Sequence, residues 1–314
     1  MTTDVVLLSD SPAYRNTLGE GFIVHEAHKT GIEGLPAEVR ANARILITSG
    51  FTGASAAQMD QLPKLGLICC LGTGYENIDV KAALSRGLTV THGAGTNAAA
   101  VADHAMGMLL AMMRDMPRAD RLARQGTWRN DLGPRPTATG KHLGIIGLGG
   151  IGERIARRAE GFEMKISYTT RTPRPQVPWT HVPNVLDLAR QVDALIVAAP
   201  GGASTYHMIN AEVLEALGPK GVLVNIGRGS VVDTEALVAA LKANTILGAA
   251  LDVFEQEPHI PEELRALDNV ILTPHMASWA PEVRQASVEL LQRNVALFLA
   301  GQPVASAIPE HRAA

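Results

Sequence analysis

Apolar residues recur along this chain in short runs, and the segments between them carry apolar positions at helical spacing. Val5–Leu8, Phe22–His25, Ile45–Thr48, Leu67–Leu71 and Leu88–Thr91 read as strands in the first third. A second group follows at Leu143–Ile146, Met164–Tyr168, Ala194–Ala198, Val222–Ile226, Leu247–Asp252 and Val270–Leu272, six runs in all. Short apolar runs without alternation suit strands covered on both faces, and strands that take turns with helices build parallel sheets. The pattern therefore predicts an α/β protein with two doubly wound parallel sheets, whose ligands collect at the carboxyl ends of the strands.

Between the two groups, Val101, Ala105, Met108, Leu109 and Met112 fall on one face of a long helix. Methionines at that spacing predict packing, in a core or an interface. Beyond Pro117 the chain turns polar through Trp128 to Thr139, where Gly133-Pro134 and Pro136 break regular structure. A last helical pattern, Glu282 to Leu299, is long enough to return to the first sheet.

At 314 residues the chain exceeds one typical core, and 46% hydrophobic with 19% charged residues marks it as globular. A net charge of −3 and a pI near 6.4 exclude the broad basic face of a nucleic-acid binder and argue against an anionic membrane surface. Any anion it binds must be met locally. Cys69 and Cys70 are adjacent in a strand, where no ordinary disulfide joins them, which suits a reducing compartment and small core residues. Met1 to Val5 lacks the features of a signal peptide and no apolar run has bilayer length, so a cytoplasmic protein is expected.

The most informative stretch is Leu143 to Gly152, an apolar strand that runs into Gly147-x-Gly149-x-x-Gly152 and then a helical pattern through Glu160. Gly147 permits a sharp turn, Gly149 lets backbone approach a pyrophosphate, and Gly152 lets helix and strand pack closely. The pyrophosphate then rests on free N–H groups at the helix N-terminus. About 20 residues on, where an acid holds the ribose 2′-hydroxyl in NAD sites, stand Thr170, Arg171, Thr172 and Arg174 and no carboxylate. Two guanidinium groups and neighbouring hydroxyls suit a 2′-phosphate, so NADP is expected in preference to NAD.

Three ionisable residues follow late strands of the second group: Arg228 in Asn-Ile-Gly-Arg-Gly, Glu257 in Asp-Val-Phe-Glu-Gln-Glu-Pro, and His275 in Thr-Pro-His. Strand ends on one edge of a parallel sheet bring distant residues together. Reduction of a 2-keto acid needs a cation for the carboxylate, a proton donor for the carbonyl oxygen and a hydride on the far face of the carbon. A guanidinium supplies the first, and a histidine kept charged by a carboxylate supplies the second. In the first group the loop Gly72-Thr73-Gly74-Tyr75-Glu76-Asn77 reads either as a glycine-rich turn or as a set of backbone N–H groups for a carboxylate.

These motifs stand in a fixed order: Gly72-Thr73-Gly74 to Asp79, Val101-Ala102-Asp103, Leu143 to Gly152, Asn225 to Gly229, Leu251 to Pro258, and Pro274-His275. Over nearly its whole length the chain resembles the D-isomer-specific 2-hydroxyacid dehydrogenases, and within them the NADP-using glyoxylate/hydroxypyruvate reductases. The resemblance implies a flavodoxin-like substrate domain made of residues 1–96 and 283–314, a Rossmann domain of residues 97–282, a cleft between them and a homodimer. It implies that Arg228 holds the substrate carboxylate, His275 is the acid/base and Glu257 pairs with it, while Thr73 and Gly74 donate backbone N–H groups to substrate. Asp252 would meet the nicotinamide amide and Pro200 and Thr205 line the cofactor, with Val101, Gly150, Ile151, Ile226 and Gly227 as further cofactor contacts. No metal, nucleic acid or membrane is implied.

The chain also departs from its relatives. Gly150 stands where many carry Arg, and Met276-Ala277-Ser278-Trp279 places a bulky ring where they have a small residue. The pairing of His275 with Glu257 speaks against formate dehydrogenase activity, where glutamine takes that place. Reduction of bulkier keto acids such as hydroxyphenylpyruvate or 2-ketogluconate, and a dinucleotide-sensing corepressor, are the alternatives.

Overall fold

In the computed structural model, residues 2–11 and 14–312 are described, and the chain divides into two compact units, Met1–Asn97 with Ala280–Ala314, and Ala98–Trp279. In the first unit the strands are β1 (Thr3–Leu7), β2 (Phe22–Glu26), β3 (Ile45–Ser49), β4 (Leu67–Leu71) and β5 (Thr89–Thr91), with helices α1 (Ala37–Asn42), α2 (Ala56–Asp60) and α3 (Val80–Ser85) between them. They pair in parallel in the order β2-β1-β3-β4-β5, the flavodoxin-like arrangement.

Alternation along those strands explains why the sheet is covered on both sides. Val6, Leu46, Ile68 and Val90 face a core with Ile32, Met59 and Ala83, while Val5, Leu7, Ile45, Ile47 and Leu67 face Leu291 and Val295. The latter two belong to the returning helix Pro281–Leu299, as its length predicts. Cys69 and Cys70 project to opposite faces as thiols outside any disulfide, and burial pushes the Cys69 pKa up to about 12. Helix starts are set by capping side chains: Ser55 and Gln58 form a reciprocal box, and Asp79 accepts from the Ala82 N–H.

The second unit opens with α4 (Ala98–Arg114) and α5 (Met116–Arg124), separated by Asp115 in the left-handed region at φ 54°. Its strands are β6 (His142–Ile146), β7 (Lys165–Thr169), β8 (Thr180–His181), β9 (Ala194–Val197), β10 (Val222–Asn225), β11 (Gly248–Leu251) and β12 (Val270–Leu272). Helices α6 (Gly150–Glu160), α7 (Val185–Ala189), α8 (Ala211–Leu217), α9 (Thr234–Lys242) and α10 (Glu262–Arg265) connect them. All neighbours are parallel, in the order β12-β11-β10-β9-β6-β7-β8.

That order is the doubly wound dinucleotide-binding arrangement with one strand more than the six expected. The additional strand, β8, is two polar residues long and has no apolar run to announce it. Its register pairs Tyr168 with His181. On one face of the sheet, Leu109, Met112 and Ile155 pack on Leu143, Ile145, Val222 and Val224. On the other, Leu188, Leu214 and Leu237 pack on Leu195, Val197 and Leu223. Met106, Met108, Met112 and Met113 are all buried, so the methionine stripe of α4 is core.

Candidate active site

The glycine turn has the geometry its spacing predicts. Gly147 adopts φ 93°, and a Cβ there would meet the Ala198 carbonyl oxygen at 2.9 Å. A Cβ on Gly152 would strike the Gly147 carbonyl oxygen, whereas Gly149 has nothing within 4 Å of that position. Gly149 is the N-cap of α6 and offers no side chain to its first turn, so the helix N-terminus faces open space with backbone alone. Gly150 extends this gap, because its Cβ position meets nothing nearer than the Arg154 guanidinium at 3.8 Å. Ile151 is partly buried and Val101 almost wholly, both in the core beneath the turn. A pyrophosphate group fits this cradle.

At the end of β7 the loop from Thr170 carries no acid. Thr170 donates its hydroxyl to the Thr172 carbonyl at 2.8 Å, and its own carbonyl meets His181 Nε2 at 3.1 Å. Arg171 is exposed and makes no hydrogen bond or ion pair among the described residues. Arg174 is turned inward: its Nη1 donates to the Leu148 carbonyl at 2.6 Å and its Nη2 lies 3.0 Å from Glu153 Oε2. It fastens the loop to the glycine turn, with its direction set by the Tyr168 hydroxyl, which accepts from the Arg174 N–H.

The loop after β9 carries Pro200 and Thr205, whose hydroxyl donates to the Pro200 carbonyl at 2.8 Å. After β10, Ile226 and Gly227 are buried, and a Cβ on Gly227 would meet the Ala199 carbonyl oxygen at 2.5 Å. The next residue is Arg228. Asn225 organises this corner from both sides, accepting from the Gly227 N–H at 3.1 Å and donating Nδ2 to the Arg228 carbonyl at 3.0 Å. Gly229 fits only because it lacks a Cβ, which would collide with the backbone of Phe254.

Phe254 leads to Glu257. The Phe254 N–H donates to Glu257 Oε1 at 3.0 Å, and Glu257 Oε2 lies 2.7 Å from Nδ1 of His275. Burial works against ionisation of Glu257, but the hydrogen bonds from His275 and Phe254 and the charges of His275 and Arg228 outweigh it and lower the carboxyl pKa. The bond to Glu257 raises the His275 pKa above its ordinary value, against burial and the charge of Arg228, with help from the charges of Glu257 and Asp252. Arg228, Glu257 and His275 therefore form one electrostatic unit, as their positions after parallel strands predict.

Asp252 sits beneath them, 1% exposed. Its Oδ1 accepts from the Thr273 hydroxyl at 2.6 Å and the Met276 N–H at 2.9 Å, and its Oδ2 accepts from the Ala277 N–H at 3.0 Å. Its backbone carbonyl takes the N–H of His275, a residue held at φ 49°. Sequence reasoning missed this organising role, and that of Asn225, since both depend on partners that only the folded loops supply. Thr73 and Gly74 lie in the first unit, on the loop after β4. There Thr73 donates to Asn97 Oδ1 at 2.9 Å, His92 Nδ1 contacts the Thr73 carbonyl at 3.0 Å, and the Gly74 carbonyl blocks any Cβ on Gly50. Trp279 is 86% exposed.

A sequence profile described as D-isomer specific 2-hydroxyacid dehydrogenase, NAD binding domain, matches residues 106–277. The chain belongs to that family. It is 41% identical over 264 residues to a glyoxylate/hydroxypyruvate reductase of Arabidopsis thaliana, covering 84% of each chain. It is 40% identical over 262 residues to hydroxyphenylpyruvate reductase of Plectranthus scutellarioides, covering 83% of this chain and 84% of the other. Among solved structures, it is similar to the NADPH-dependent glyoxylate/hydroxypyruvate reductase of Sinorhizobium meliloti, determined with NADP and malonate. That likeness has a TM-score of 0.90 at 38% identity and covers 99% of this chain and 98% of the other. The protein is thus an oxidoreductase with a nicotinamide dinucleotide-binding unit.

Proposed function

We propose that this dehydrogenase reduces a small 2-keto acid, glyoxylate or hydroxypyruvate, to the D-2-hydroxy acid with NADPH. The 2.7 Å contact between His275 Nδ1 and Glu257 Oε2, with Arg228 beside the pair, carries the reading. The names of the Arabidopsis and Sinorhizobium relatives support the substrate class.

Bound NADPH supplies the hydride that reaches the carbonyl carbon. Arg228 holds the keto acid's carboxylate by paired N–H donors, which fixes the carbonyl with respect to His275. His275 donates its Nε2 proton to the carbonyl oxygen, so that hydride and proton together give the alcohol. Glu257 keeps the ring oriented and favours the charged form that the next turnover requires. The Gly147–Gly152 turn receives the pyrophosphate, and Arg171 with the hydroxyls of Thr170 and Thr172 receives the 2′-phosphate.

The homodimer implied by the family resemblance belongs to this reading and is checked by sedimentation. Hydroxyphenylpyruvate is the second substrate class, supported by the Plectranthus relative. Initial rates over a panel of keto acids, with NADPH and NADH separately, decide between them. The reading requires higher kcat/KM for glyoxylate or hydroxypyruvate than for aryl keto acids, and a preference for NADPH.

A further inference from the structure

We infer that His104, on helix α4, is a positioning residue that holds the His275 loop in register through Thr273 and Asp252. The inference rests on the reading above that His275 is the acid.

His104 Nε2 lies 3.1 Å from the Thr273 hydroxyl oxygen and 3.6 Å from Asp252 Oδ1. The direction of these bonds follows from the donor inventory. Thr273 has one hydroxyl proton, and the 2.6 Å contact with Asp252 Oδ1 uses it, because a carboxylate oxygen only accepts. The hydroxyl is then an acceptor toward His104, so Nε2 is the ring nitrogen that carries hydrogen. The chain of bonds therefore runs from His104 to Thr273 to Asp252, each donor polarising the next.

Asp252 is the hub. Its carboxylate is 1% exposed and takes the N–H groups of Met276 and Ala277, and its carbonyl takes the N–H of His275. His275 stands at φ 49°, a left-handed conformation that a side-chain-bearing residue keeps only when its surroundings impose it. Here the surroundings are Asp252 and Thr273, whose carbonyls both accept from the His275 N–H, at 2.8 and 3.0 Å. Besides His104 and Asp252, the Met108 sulfur at 3.9 Å is the only side-chain partner of the Thr273 hydroxyl among the described residues. Removal of His104 strips the Thr273 hydroxyl of its donor, weakens its bond to Asp252 and loosens the turn that aims the imidazole. His104 lies 169 residues from Thr273 and needs no contact with substrate to act in this way.

The test compares His104→Phe, which keeps a ring of similar size without the donor, with His104→Gln, which keeps an N–H at similar reach. Thr273→Val serves as a second break in the same chain. Amide exchange of the peptide Thr273–Trp279, followed by mass spectrometry on the full-length protein, reads the loop directly. Steady-state reduction and NADPH affinity read the consequence. Exchange in that peptide should quicken about ten-fold in His104→Phe and Thr273→Val, and kcat should fall about ten-fold while the NADPH Kd stays within about two-fold. His104→Gln should restore both. Wild-type exchange and kcat in His104→Phe, or a glutamine variant as impaired as the phenylalanine one, overturns the inference. If His275→Ala keeps its turnover while exchange still quickens in His104→Phe, the assignment of the acid has failed and the role of His104 in the loop has not.

Discussion

Nδ1 of His275 lies 2.7 Å from Oε2 of Glu257, and each group moves the other's proton affinity in the direction that favours an ion pair. The His275 pKa is raised, so the charged ring that the proposed reduction requires persists to higher pH than an ordinary histidine allows. Reduction should be flat at low pH and fall as pH rises through this raised value, whereas oxidation of the alcohol should rise over the same range. His275→Ala should lower turnover by roughly 10²–10⁴-fold with NADPH binding nearly intact. Glu257→Gln removes the largest cause of the shift, so its falling limb should appear at lower pH in rate profiles.

The same pair gives a signed prediction for stability. A raised His275 pKa stabilises the fold fully below the histidine's unfolded value, and that contribution disappears as pH rises through the folded value. A lowered Glu257 pKa stabilises above the carboxyl's unfolded value, and its contribution disappears as pH falls through the folded one. Both are present between about pH 4.5 and 6.5, the interval set by the unfolded reference values. Thermal unfolding of the wild type and Glu257→Gln should differ most in that window, and the difference should shrink as pH rises through the raised His275 value.

Arg228 acts on this pair with the opposite sign, since its charge lowers the His275 pKa. Arg228→Met should raise KM for the keto acid and cost roughly 10²–10³-fold in kcat/KM, because a charge-assisted bidentate contact is lost. Its falling pH limb should also move upward, contrary to that of Glu257→Gln. Movement of both limbs in one direction would contradict the arrangement of charges around His275.

Much of this was legible in the sequence, for a physical reason. Buried parallel strands must be apolar along their length, so Ile45–Ile47 and Val222–Val224 announce themselves, and their carboxyl ends mark where Arg228 belongs. β8 was illegible because a two-residue edge strand needs no apolar run. The site residues differ in the same way. His275 and Glu257 are read as a site only together with Arg228 and from their places after late strands, and Asp252 acts through the backbone of Met276 and Ala277, which no residue type encodes. Arg174 shows the limit from another side: its charge suits a phosphate, yet the Leu148 carbonyl and Glu153 hold its guanidinium.

That placement leaves Arg171 as the exposed guanidinium at the end of β7. Arg171→Ala should raise KM for NADPH roughly ten-fold or more and leave KM for NADH nearly unchanged, as expected for loss of one charged contact to a phosphate. Arg174→Ala should act differently, lowering stability and weakening both dinucleotides alike. Equal effects of Arg171→Ala on NADPH and NADH would remove the 2′-phosphate assignment.

Gly149 and Gly152 separate binding from folding within one turn. A methyl on Gly152 would run into the Gly147 carbonyl oxygen, a backbone atom that cannot swing aside, so helix α6 would have to leave its strand. Gly152→Ala should destabilise the protein by roughly 1–3 kcal/mol, the usual penalty for overpacking, and weaken NADPH as a consequence. A methyl on Gly149 meets nothing within 4 Å, and its φ of −77° and ψ of −163° suit any residue. Gly149→Ala should therefore keep the wild-type Tm. The added methyl stands at the mouth of the helix N-terminus, where backbone must come close to a pyrophosphate, so the NADPH Kd should still rise about ten-fold or more. Calorimetry and fluorescence titration on the two variants check both halves. A Gly149→Ala protein with unaltered affinity would place the pyrophosphate elsewhere than on this turn.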